Sequence, residues 1–201
     1  MSKNKNIFLR SLSELKSVRC LALTALLIAV NLTLDLLGLS IKLPPNLRIG
    51  FGFLCNAAIG MLFGPAVGML SGVCTDVLGY FAGNFTMGGY FPGYTLTAVV
   101  GGLLWGLWLY PRKISLPRAI GAKVSVNVIC NICMNTFWLS LTGGKAMMAL
   151  LPLRAVKNLV LLPVEIALLY FVMKAFLRIY HSLPGGAPSG EGETAKQGVS
   201  Q

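Results

Sequence analysis

Apolar residues fill this chain in six blocks, separated by short breaks rich in Gly, Pro, Asn and basic side chains. The blocks are residues 20–39, 49–63, 66–81, 93–110, 119–141 and 149–179. Residues that end helices mark each boundary: Gly38 with the Leu43-Pro44-Pro45-Asn46 break, Gly64-Pro65, the glycine-rich loop 83–89, Pro111-Arg112-Lys113, and Gly143-Gly144-Lys145. A membrane-spanning helix needs about 20 predominantly apolar residues, so the pattern predicts six spans joined by short loops. Ser11 and Glu14 stand at capping-box spacing, which predicts a helix that starts near Ser11 and runs into the first span.

Composition agrees with a lipid solvent. Of the 201 residues 55% are hydrophobic and 11% charged, and mean hydropathy is +0.73. Soluble chains carry roughly 25% charged residues. Segment 1–19 is polar and basic, residues 20–180 form the membrane domain, and the tail 181–201 is rich in Gly, Pro, Ser and Glu, a composition that predicts disorder. No stretch is left for a large extramembrane catalytic domain.

The net charge of +11 is informative through its placement. Lys3, Lys5, Arg10, Lys16, Arg19, Arg112, Lys113, Arg118, Lys174, Arg178 and Lys196 fall on the side of the two termini. Lys42, Arg48, Lys145 and Arg154 fall on the other, and Lys123 and Lys157 lie within predicted spans. The positive-inside rule therefore puts both termini in the cytoplasm.

Ionisable and polar residues inside the blocks carry the functional information, because a charge at the bilayer centre costs ~2.5–3.5 kcal/mol on insertion scales. Asp76 lies in the third block. Arg154, Asn158 and Glu165 share one helical face of the sixth, with Lys157 at its margin. Asn127, Asn131 and Asn135 form an i, i+4, i+8 stripe in the fifth. Two readings stand for these groups. The asparagines act as interhelical glue and Asp76 pairs with the sixth-span cations, or the same groups line a polar cavity. In the second reading Arg48, Arg154 and Lys157 crown a mouth suited to an anionic ligand, while Asp76 sits deeper, and Phe51, Phe53, Tyr80, Tyr90, Phe91 and Trp138 are available for stacking. Ala22, Ala25 and Ala29 form a small-residue strip on the first span, where another helix can approach closely.

Other chemistries find little support. Cys130 and Cys133 have CxxC spacing, but no cysteine is flanked by histidine and the single His181 lies at the start of the tail, so no metal site is expected. Gly143-Gly144-Lys145-Ala146 lacks the spacing and the final hydroxyl of a Walker A loop, so no ATP site is expected on this chain. An intramembrane enzyme would need a nucleophile with a base or a metal cluster, and a purely structural subunit would need no cavity.

Several stretches taken in order resemble one family: Leu47-Arg48-Ile49-Gly50-Phe51-Gly52-Phe53-Leu54, the turn Gly60-Met61-Leu62-Phe63-Gly64-Pro65, the run from Gly88-Gly89-Tyr90-Phe91-Pro92-Gly93 to Thr97, and the segment from Leu150 to Leu159 followed by Leu162-Pro163-Val164-Glu165. Together, over about residues 19–178, the chain is similar to the folate family of S components, the substrate-binding subunits of energy-coupling factor (ECF) vitamin transporters. The resemblance implies an all-α integral membrane protein, a six-transmembrane-helix bundle that binds folate or a reduced folate and is not an enzyme. It also implies a partner module of two ATPases, which bind the ATP, and a transmembrane coupling protein met through Ala25 and Ala29, with Ala22 on the same strip. The expected site is Arg48 and Arg154 for the carboxylates, Asp76 and Asn135 for the ring, and Phe51, Tyr80, Asn131, Lys157 and Asn158 around them. No cofactor and no nucleic acid is expected, and another anionic vitamin is the alternative ligand.

Overall fold

A computed structural model describes residues 2–38, 40–43, 47–82, 90–110, 115–142 and 151–182. The tail beyond residue 182 and the loop 83–89 lie outside the described residues. In chain order the elements are α1 (Ser2–Glu14), α2 (Val18–Leu36), β1 (Ser40–Leu43), β2 (Leu47–Gly50), α3 (Gly52–Phe63), α4 (Pro65–Ala82), α5 (Pro92–Leu109), α6 (Leu116–Val126), a π-helical segment (Asn127–Met134), α7 (Asn135–Thr142) and α8 (Leu151–Ser182). All six predicted blocks reappear as helical units in the expected order. Among the described residues three helices are long and apolar enough to cross a membrane, Val18–Leu36, Pro65–Ala82 and Asn158–Ile179, and Gly52–Phe63 is a shorter apolar helix.

Three local readings are corrected. No helix starts at Ser11: α1 ends at Glu14 and a turn over Leu15–Ser17 precedes α2. The Ser11 side chain is fully buried, donating to the Phe63 carbonyl at 2.7 Å and accepting from the amides of Ala66 at 3.0 Å and Val67 at 3.3 Å. It therefore caps the α3–α4 corner from a distant segment, meeting orphan groups at two helix ends. That corner is a single residue, Gly64, at φ +89°, in the left-handed region that favours glycine.

The second correction is at the start of the second block. Residues 47–50 pair antiparallel with 40–43 in a hairpin whose register sets Lys42 opposite Arg48, and the helix begins only at Gly52. Third, the fifth block is not one regular helix. Its middle, Asn-Val-Ile-Cys-Asn-Ile-Cys-Met, takes π geometry, in a run of weak α-formers. Short π segments inside α-helices recur at functional sites.

Packing centres on α4 and α5, the most extensive helix pair. Their backbones touch through glycine. A Cβ on Gly68 would lie 2.6 Å from the Gly102 carbonyl oxygen, and one on Gly72 would lie 2.5 Å from that of Ala98. Gly106 faces Pro65 in the same intimate way. Such small-xxx-small seams let membrane helices gain dispersion contacts where no hydrophobic force drives them together. Ile59, Phe63, Val67, Trp105, Leu169 and Met173 fill the core around this seam.

Candidate functional site

At the hairpin end of the bundle α2 and α4 finish while α3 and α5 begin. A cavity of about 170 Å³ opens there, lined by Leu32, Asp35 and Leu36 of α2, Asn56 of α3, Gly72, Thr75, Asp76 and Gly79 of α4, and Ala98 of α5. Two carboxylates from different helices thus border one small space.

Asp76 is held by a relay. The Thr95 hydroxyl donates to Asp76 Oδ2 at 2.6 Å and lies 2.5 Å from the Tyr90 hydroxyl. Thr95 has one hydroxyl proton and commits it to Asp76, so Tyr90 is the donor in the outer link. Tyr90 meets Tyr80 edge to face, with centroids 5.3 Å apart. Asp76 and Tyr80, two expected site residues, are therefore joined through Tyr90 and Thr95. The chain of donors fixes one of the carboxylate oxygens.

A polar pair ties α2 to α3, with Asn56 alone of the two in the cavity lining. Asn31, 2% exposed, donates from Nδ2 to Asn56 Oδ1 at 3.2 Å. Its own Oδ1 is buried with no hydrogen-bond partner. That oxygen crowds the position where Gly52 lacks a side chain, whereas a Cβ there would be in ordinary contact, 3.6 Å, with Asp35 Oδ1.

Across the bundle, Trp138 of α7 donates from Nε1 to Thr97 Oγ1 of α5 at 3.0 Å and packs edge to face on Phe91. Asn135 lies one turn before it, and neither lines the cavity. The asparagine stripe does not act as interhelical glue where it is described: Asn131 Nδ2 donates to Asn127 Oδ1 at 2.8 Å within the π segment, and Asn127 Nδ2 is buried without a partner. Phe51 is half-buried just ahead of α3, and Asn158 is half-buried on α8.

Among the described residues the ion pair inside the bundle does not involve Asp76. Lys123 Nζ of α6 lies 3.1 Å from Glu165 Oε2 of α8 and 3.6 Å above the Phe53 ring, with Lys123 buried and Glu165 half-buried. Glu165 thus serves a helix-to-helix tie. The side chains of Arg48, Arg154 and Lys157 lie outside the described residues. Their backbones are on β2 and on the first two turns of α8, two elements in contact. Ala22, Ala25 and Ala29 are exposed on α2.

Asp35, Asn56 and Thr95 are the site residues that sequence reasoning missed. Asp35 carried the same signal as Asp76, an ionisable group within an apolar helix. Thr95 carried none, because its role depends on a partner 19 residues away.

The model of the family described as "ECF transporter, substrate-specific component" matches residues 19–173. The chain belongs to that family. As an ECF substrate-specific component it is a membrane protein built of helices, with one short hairpin, and a transport subunit, not an enzyme. A protein named "Folate transporter FolT" from Clostridium novyi (strain NT) is 39% identical over 135 residues, covering 67% of this chain and 77% of that protein. One of the same name from Leuconostoc mesenteroides subsp. mesenteroides is 29% identical over 161 residues, covering 77% and 84%. A solved structure described as "Crystal structure of FolT bound with folic acid" aligns with a TM-score of 0.68 at 30% identity, covering 78% of this chain and 92% of that one.

Proposed function

We propose that this ECF substrate-specific component captures folate or a reduced folate from outside the cell, for uptake driven by ATP that its partner subunits bind. The observation that carries the reading is the match over most of both chains to a FolT structure with folic acid bound, together with a cavity that contains Asp76. In this reading the ring enters beside Asp76, whose free oxygen accepts its N–H groups, with the aromatic groups Phe51 and Tyr80 around it, while Asn135, away from the cavity, is not a ring contact. Arg48 and Arg154 take the glutamate carboxylates, and Asn131, Lys157 and Asn158 shape the remaining wall. The hairpin register supports a cationic mouth, since it sets Lys42 opposite Arg48. Cations so placed repel one another, and an anionic ligand relieves that repulsion.

The chain crosses the membrane six times with both termini in the cytoplasm, and residues 1–19 and 181–201 flank the membrane domain on that side. Ala22, Ala25 and Ala29 meet the transmembrane coupling protein of a module that also contains two ATPases. The test is a titration of the purified protein with folate, followed by tryptophan fluorescence. Trp138, bonded to Thr97, is the expected reporter. Saturable quenching at micromolar folate, with none by thiamine or pantothenate, is expected. Quenching by another anionic vitamin and not by folate would replace the assigned ligand.

A further inference from the structure

We infer that Asp35 and Asp76 together form a two-sided acceptor clamp for the N–H edge of a flat amino-heterocycle, making Asp35 a specificity-determining residue for the ring end of the ligand. The inference rests on the folate reading above and adds to it a residue and a discrimination rule.

Three observations converge on it. Asp35 and Asp76 reach the same cavity from α2 and α4. Asp76 has one oxygen committed to Thr95, which leaves the other for a ligand. The lining adds Asn56, whose Oδ1 is already taken by Asn31 Nδ2. The cavity is therefore rich in acceptors, and its described lining includes no lysine or arginine. Ionised carboxylate oxygens accept and cannot donate, so the site favours a guest that brings hydrogens. A ring N–H next to an exocyclic amino group offers two parallel donors to one carboxylate, the geometry that makes paired hydrogen bonds strong. The volume of about 170 Å³ is below the roughly 300–1,000 Å³ that encloses a drug-sized ligand. It suits a bicyclic head, with the rest of the ligand extending toward the hairpin.

The experiment compares wild type, Asp35→Asn and Asp35→Glu as full-length purified protein against three ligands: folate, 4-aminobenzoyl-glutamate, which keeps the tail and lacks the bicyclic ring, and a bare 2-amino-4-oxopteridine. Asp35→Asn removes the charge and replaces one acceptor oxygen with an NH2 donor, with little change of shape. It should weaken folate and the bare pteridine by roughly 10- to 100-fold, the loss of one charge-assisted hydrogen bond, and leave 4-aminobenzoyl-glutamate within about twofold. Asp35→Glu keeps the carboxylate and should retain the preference for ring-bearing ligands. Equal weakening of all three ligands by Asp35→Asn, or no weakening, overturns the clamp. If wild type binds the bare pteridine in an Asp35-dependent way but not folate, the folate reading fails and the clamp stands. Binding of neither overturns both.

Discussion

On α4 and α5 the small residues Gly68, Gly72, Ala98, Gly102 and Gly106 are consumed inside the fold, each glycine lying where a Cβ would strike backbone across the seam. On α2 the strip Ala22, Ala25 and Ala29 is exposed, among the equally exposed Leu21, Leu26 and Val30. The same small-xxx-small spacing thus yields a filled interface in one region and an open one in the other. A helix's small-residue stripe shows only that a close neighbour fits there. Whether that neighbour belongs to the same chain is decided by which face the rest of the bundle covers.

The contrast is sharpest where bulk is added. Gly102→Leu should cost about 3 kcal/mol or more, as overpacking does where neither backbone can retreat; a large drop in thermal unfolding temperature in detergent would show it. Ala25→Leu combined with Ala29→Leu should change stability by less than ~0.5 kcal/mol and leave ligand binding intact. Uptake with the ECF module should nonetheless fall roughly tenfold, equivalent to ~1.4 kcal/mol at the lost contact. If that pair unfolds the protein, the α2 strip is internal after all. Ser11→Ala tests the seam from its end, removing the cap that α1 places on the α3–α4 corner. It should cost about 1 kcal/mol, the usual value for a lost cap, with no change in ligand affinity.

Much of the bundle was legible in the sequence because lipid imposes long apolar runs, and Gly and Pro punctuate them. The six blocks and their order follow from that alone. The hairpin was missed although Ile41 and Leu43, then Leu47 and Ile49, alternate with polar residues, because Pro44-Pro45 read as a simple break. Ser11 misled for a physical reason: a hydroxyl caps whichever orphan amides are nearest, and here these belong to α4, more than 50 residues away. In the site, Asp76 was visible through its cost in an apolar helix, and Asp35 was visible by the same rule. Their convergence on one cavity depends on how α2 packs against α4, which no spacing within either helix encodes. Lys123 and Glu165 illustrate the same limit, since each was noticed alone and only the fold pairs them.

The most direct test of the transport role uses proteoliposomes containing this chain and the ECF module. Radiolabelled folate should accumulate when ATP is supplied inside the vesicles on the module's ATPase side, and the accumulation should vanish when this chain is omitted. Accumulation that persists without the chain, or a complete assembly that hydrolyses ATP but takes up no folate, would contradict the account.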